Sequence, residues 1–225
     1  LLPYWMGQLV HTFVLTFCLI TALPLLKNFI ATNFPSDSKK RSWIVYLVFF
    51  CIVIALVREL HMGNINLLLL GLFTGGLVNL NNKNSFYSVL FWSLMVILKP
   101  TMILSFIPLF FFGRWKILFL MLGMGIIFFL FPMIHVGFDQ SLVLWMDWFK
   151  SISAHGDYIV SENSLNYLSN FYFGTTSAWI PSIVVLLVLI SLMIYSKIKQ
   201  NQENNVITWI VIFTAFMPNF FVTDT

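Results

Sequence analysis

Long uncharged apolar runs, separated by short polar joints, constrain this chain more than any other feature. They fall at 9–26, 43–57, 65–80, 86–98, 102–112, 117–135, 179–195 and 206–222, and they are rich in Leu, Ile, Val and Phe. A helix takes about 20 such residues to cross a bilayer's hydrocarbon layer, where helices are the open-chain way to satisfy every backbone group. Hydrophobic residues make up 60% of the chain and charged ones only 9%, against about 25% charged in a soluble domain. The expectation is an all-α, polytopic transmembrane helical bundle of about eight segments, forming one integral membrane region over 1–225.

The joints report orientation. Lys99-Pro100 divides 86–98 from 102–112, and each half is shorter than a full crossing. Taken as two segments, they put Lys27, Lys39, Lys40, Arg41, Lys83, Arg114, Lys116, Lys197 and Lys199 on one side, nine of the twelve basic residues. Taken as one broken helix, they divide the charges six against five and leave Lys99 inside the membrane. Basic loops stay cytoplasmic, so the first arrangement is favoured. The outer face then carries Arg58, Lys99, Lys150 and six of the eight acids, Glu59, Asp139, Asp147, Asp157, Glu162 and Asp224. The net charge of +4 lies in these joints and forms no basic face, so no nucleic-acid partner is indicated.

Further local expectations follow. Pro24 suits a kink or stop at the end of the first run, with a loop over 28–42. Trp43 and Tyr46 suit an aromatic belt. Gly71-x-x-x-Gly75 beside Gly76 is a spacing that lets helices approach closely. Lys197 to Asn205 reads as a loop. The long hydrophilic segment 137–178 is expected to be an extracytoplasmic loop. Within it, Leu142, Trp145, Phe149 and Ile152 fall at i, i+3, i+7 and i+10, with Asp139 available as N-cap and Asp147 and Ser151 opposite. That pattern predicts an amphipathic helix lying in the membrane surface.

Candidate chemistry concentrates on the outer side. Arg58-Glu59-Leu60-His61-Met62-Gly63-Asn64-Ile65-Asn66 sets a cation, an anion, an imidazole and two amides between apolar runs, where such groups are costly unless they pair, meet water or bind a ligand. Arg58 and Lys99 suit a phosphate, Arg bidentately and Lys as a point charge. The competing role is pairing with an acid or snorkelling to headgroups. His61 suits hydrogen bonding to a sugar or acid–base work. Asn64, Asn66, Asn163 and Ser164 suit hydroxyl recognition, against simple loop capping. Glu162, Asp157 and Asp224 are candidate bases, and carboxylates in water-exposed loops are ordinarily just solvated. Tyr158, Tyr167, Phe171, Tyr172 and Phe173 suit stacking on a sugar or an isoprenoid, or interfacial anchoring.

Absences narrow the field. There is no Asp-x-Asp pair, no phosphate-binding Gly-rich loop and no His-Glu-x-x-His, so neither a metal nor a cofactor is indicated. Cys18 and Cys51 lie in apolar runs without Cys-x-x-Cys spacing and read as packed or lipid-facing thiols.

Gly63-Asn64-Ile65-Asn66-Leu67-Leu68-Leu69, then Leu98-Lys99-Pro100-Thr101, then Gly113-Arg114-Trp115-Lys116 resemble the polyprenyl-phosphate-mannose-dependent mannosyltransferases of glycosyltransferase family eighty-seven, membrane enzymes of the GT-C class. Gly63, Asn66, Lys99 and Pro100 match the family pattern, and Asn64 stands where the family usually has Gln. Ser164 and Leu165 within Ser161-Glu162-Asn163-Ser164-Leu165 are similar to its Asn-Gln-Ser-Leu element. The likeness spans about 58 to 173.

The resemblance implies a GT-C-like hexosyltransferase, moving a mannosyl or related group from a polyprenyl-phosphate donor to a glycolipid or glycan acceptor. It places the enzyme in a bacterial plasma membrane, with the active face extracytoplasmic and serving the cell envelope. It also implies an Asp base in the first outer loop. The chain starts at Leu1 without Met and reads as an internal fragment, so that Asp is expected before Leu1. The rival is a transporter or flippase for a polar lipid or small solute, with Lys99-Pro100 as a helix break at its binding site. A structural membrane subunit is the third reading.

Overall fold

The computed structural model describes residues 4–33, 47, 50, 53–54, 56–58, 60–61, 65–81, 84–158, 171–172, 174, 180–200 and 205–220. Among these the regular structure is all helical. Three helices are long and apolar enough to cross a membrane, Met6–Lys27, Trp115–Val136 and Ile180–Lys199, and shorter apolar helices fill Asn66–Leu80, Ser85–Leu98, Pro100–Phe111 and Val206–Phe216. The chain divides into two compact units, Leu1–Leu98 and Lys99–Thr225.

In the first unit, α1 runs Tyr4–Asn33 with Pro24 inside it. Of the kink or stop expected at Pro24 the stop does not occur, and the loop expected from residue 28 is corrected over 28–33, which are helical. Residues 28–33 contain no Gly or Pro, and helix-breaking chemistry first appears at Pro35. Where the helix is apolar, its hydroxyls are satisfied locally. Thr16 and Thr21 donate to the carbonyls of Thr12 and Phe17, each at 2.8 Å. Leu9, Val10, Phe13, Phe17 and Ile20 point outward, while Leu15 and Ala22 are buried.

Helices α2 (Asn66–Asn81) and α3 (Ser85–Leu98) are joined by three residues, 82–84, and packed along each other, so they form an antiparallel hairpin. Apolar burial drives little association where lipid tails are as apolar as Leu, so close backbone approach has to supply the contact. The glycines supply it. Gly71 faces α1, where a Cβ would meet Cys18 Sγ at 3.0 Å. Gly75 faces Phe91 at 3.3 Å, and a Cβ on Gly76 would enter the Trp92 indole. Trp92 is fully buried and donates its Nε1–H to the Phe73 carbonyl at 3.4 Å. Leu15, Leu56 and Leu67 form one cluster. Since Leu15 groups with Leu67 and Cys18 abuts Gly71, α1 and α2 run in the same direction.

The second unit opens at Lys99, whose backbone is extended (φ −142°, ψ 91°). The residue before a proline is pushed out of the helical region, so Pro100 causes the break. A 3-10 helix follows over Pro100–Phe106, then α4 over Ile107–Phe111. Pro108 lacks the N–H that would continue a longer helix, and Ile107 instead donates to the Leu104 carbonyl. A turn with Gly113 at φ 73° leads into α5 (Trp115–Leu130), as the basic Gly113-Arg114-Trp115-Lys116 joint predicts. Phe110 packs edge-on against Trp115 with centroids 4.3 Å apart, closing that turn. Pro132 starts the short α6 (Pro132–Val136).

Helix α7, Phe138–Tyr158, follows Gly137 (φ 79°). The helix expected in the 137–178 segment is therefore present, but Asp139 sits inside its first turn rather than capping it. Ser141 Oγ donates to the Gly137 carbonyl at 2.7 Å. Trp145 stacks on Phe129 of α5 at 4.3 Å and 15°. Helix α8 runs Ile180–Gln200, so Lys197 and Lys199 belong to its last turn and not to a loop. Helix α9 (Asn205–Phe220) packs along the 3-10 helix and α4. The core here is Leu189, Met193, Trp209 and Phe213, with Leu104, Ile107, Phe111 and Phe112 against it. Lys197 Nζ donates to the Phe111 carbonyl at 2.7 Å, which sets the C-terminal end of α8 beside the turn that begins α5.

Candidate functional site

Along α2 the polar side chains Thr74 and Asn79 are taken up by the helix's own carbonyls, which removes them from the list of possible ligands. Thr74 Oγ1 donates to Leu70 and Gly71 carbonyls at 2.8 and 3.1 Å, and Asn79 Nδ2 donates to the Gly75 carbonyl at 2.8 Å. The polar residues singled out by the sequence lie at helix breaks. Arg58 and His61 are exposed and helical, and Asn66 is the half-buried first residue of α2. Because α2 and α3 are antiparallel, Asn66 and Leu98 lie at the same end of their hairpin. Leu98 is bonded directly to Lys99.

Lys99 is half-buried, and its carbonyl accepts the Met102 N–H at 2.9 Å. The Lys-Pro pair accounts for its position. Pro100 ends α3 by forcing its predecessor into an extended backbone, so the cation is held at a discontinuity between apolar helices. An ammonium there binds an anion as a point charge with three donors. Asn66 offers an amide, His61 an imidazole and Arg58 a planar guanidinium. Arg58, His61 and Asn66 belong to the first unit, and Lys99 begins the second.

Asn64, Glu162, Asn163, Ser164 and Asp224 lie outside the described residues, as do Glu59, Gly63, Trp43, Tyr46, Cys51, Tyr167, Phe173 and the basic residues Lys39, Lys40, Arg41 and Lys83. Asp157 and Tyr158 are described only as helix backbone. Phe171 and Tyr172 are exposed and pack edge-to-face with centroids 5.2 Å apart. Among the described residues no group of three His, Cys, Asp or Glu is placed to hold a metal ion.

Two residues escaped the sequence reading. Lys197 pins the end of α4 through the Phe111 carbonyl and lies 5.9 Å from the Phe112 ring. A lysine in the last turn of a helix, a recognised partner for free carbonyls, was the available signal. Ser105 is fully buried, and its hydroxyl has no hydrogen-bond partner. Nothing in an apolar run marks one serine out from another.

The model of glycosyltransferase family 87 matches residues 1–218. No curated protein and no solved structure matches the chain.

Proposed function

The chain belongs to glycosyltransferase family 87 and is a membrane glycosyltransferase, and from that premise we propose that it takes a mannosyl or related hexosyl group from a polyprenyl-phosphate donor. The acceptor is a glycolipid or glycan at the extracytoplasmic face of a bacterial plasma membrane. Family membership sets the transporter reading aside.

The observation that carries the proposal is Lys99, a cation held by Pro100 at the break between two apolar helices. An amphiphile with a hydrocarbon tail and a phosphate head needs that combination, lipid-like surface on either side and a positive charge between. In the proposed step an acceptor hydroxyl attacks the anomeric carbon, the carbon–phosphate oxygen bond breaks, and the prenyl phosphate leaves with the electron pair. Lys99 and Arg58 stabilise the charge that develops on the departing phosphate. Asn64, Asn66, Asn163 and Ser164 hold sugar hydroxyls. A carboxylate or imidazole accepts the hydroxyl proton, and His61, Glu162 and Asp224 are the candidates in this sequence.

The eight-segment topology is part of the proposal. Parallel neighbours α1 and α2 require the chain to return between Asn33 and Asn66, which supports a crossing over 43–57. The bond from Lys197 to Phe111 brings the last turn of α8 to the basic turn at 113–116. Helices α5 and α8 then start and finish at one end of the second unit. Val136 and Ile180, which bound the 137–178 segment, and Lys99 at the far end of the 100–111 segment, then belong to the opposite end. That is the arrangement in which most lysines and arginines are cytoplasmic.

Membranes supplied with radiolabelled prenyl-phosphate mannose test the assignment. Lys99→Ala is expected to insert normally and to lose transfer by about 10²-fold or more, the range for removing one stabilising group from a developing oxyanion. Lys99→Arg restores part of it. Undiminished turnover by Lys99→Ala would exclude the lysine from the reaction.

A further inference from the structure

Six of the described serines and threonines in the α-helices of this protein share a habit. Thr16, Thr21, Thr74, Ser88, Ser141 and Thr214 all donate to the carbonyl four residues back, at 2.7 to 3.3 Å. Ser105 does not, although it is fully buried. The difference is its helix. With three residues per turn, the carbonyl four back lies about 120° around the axis, against about 40° in an α-helix, and out of reach of the hydroxyl. A buried hydroxyl without a partner disfavours the conformation that leaves it so.

The segment is unusual in a second respect. It runs seven residues as a 3-10 helix, where runs beyond about four are uncommon and often mark functional hinges. Pro100 lies at the first position, where an α-helix tolerates it, and Pro108 removes the bond to the Leu104 carbonyl, so an α form over 101–107 ends in a proline kink of the kind membrane helices accommodate. In the α form Ser105 gains the Thr101 carbonyl. The seven residues also shorten by about 3.5 Å, from 2.0 to 1.5 Å of rise each.

One end of the segment is fixed. The Phe111 carbonyl is held by Lys197, and Ile107, Phe111 and Phe112 pack on the core of α8 and α9. The change in length is therefore expressed at the other end, at Lys99. We propose that Ser105 is a positioning residue, and that the Pro100–Phe106 segment switches between a 3-10 form that advances Lys99 and an α form that withdraws it. Resting on the phosphate role of Lys99, the proposal adds that donor binding selects the advanced form and that the Ser105 hydroxyl favours return to the withdrawn one, releasing prenyl phosphate.

The test uses the full chain in lipid nanodiscs, with Cys18→Ala and Cys51→Ala as background and spin labels at Leu98→Cys and Lys116→Cys, both exposed positions. Two distance populations about 3 Å apart are expected, and a short-chain prenyl phosphate shifts them toward the longer. Ser105→Ala shifts the ratio roughly tenfold toward the longer form without ligand, and Ser105→Thr, which keeps the hydroxyl, retains both. In transfer assays Ser105→Ala lowers KM for the donor by a similar factor and lowers kcat, while Ser105→Thr stays near wild type. A single distance, unmoved by prenyl phosphate and by Ser105→Ala, overturns the proposal, as does a Ser105→Thr variant that behaves like Ser105→Ala. The distance measurement needs no sugar transfer, so a switching segment with a dispensable Lys99 is distinguishable from a rigid one.

Discussion

Gly76 shows how much can rest on one absent side chain. Any Cβ there enters the Trp92 indole, and Trp92 is itself fully buried between α2 and α3. Gly76→Ala is expected to lower stability by about 1–3 kcal/mol, the range for overpacking a filled core. Gly123→Ala, with nothing within 4 Å, should leave thermal unfolding in detergent unchanged or slightly raised. Equal effects of the two would remove close approach as the reason for the glycine. The small-residue spacing was visible in the sequence, but its division of labour was not, since Gly71 serves α1 while Gly75 and Gly76 serve α3. Periodicity reports which residues share a face and is silent on which neighbour that face meets. Lys99 was legible for the opposite reason. A proline acts on its predecessor through local sterics, so Lys-Pro announces its own backbone. Ser105 was illegible because an apolar run reads alike as α or 3-10 helix.

Elements were easier to place than their ends. Among the described residues the apolar runs correspond to helices, but α1 continues through Asn33 and α8 through Gln200, beyond the polar residues that mark the loops. Polar composition stops a helix only when accompanied by Gly, Pro or a cap, and residues 28–33 and 197–200 have none. Helix α7 was legible from its spacing of aromatic and aliphatic residues. What the spacing omitted was its anchor, the Trp145 ring stacked on Phe129. Substituting both to Ala in a double-mutant cycle is expected to show coupling of about 0.5–1.5 kcal/mol. Limited proteolysis should cut the Trp145→Ala variant faster within 138–158. No coupling between the two positions would mean that α7 is held elsewhere.

For the whole molecule, the claim is that cations separated in sequence and in compact unit face the same water. The contact that supports the proposed topology is the lysine of α8 on the carbonyl of Phe111, before the turn into α5. Under that topology most lysines and arginines belong to one side, and Arg58 and Lys99 to the other. Their pairing at one phosphate was inferred from the order and spacing of short motifs, none of them specific alone. The carboxylate or imidazole that takes the proton was not legible, because any acid in a polar loop reads as solvated. Cysteine labelling on intact cells tests the arrangement most directly. With Cys18 and Cys51 replaced, a membrane-impermeant maleimide should modify Arg58→Cys and Lys99→Cys from outside, and Lys83→Cys and Lys199→Cys only after permeabilisation. Labelling of position 58 from outside and position 99 from inside would contradict a shared donor-phosphate site.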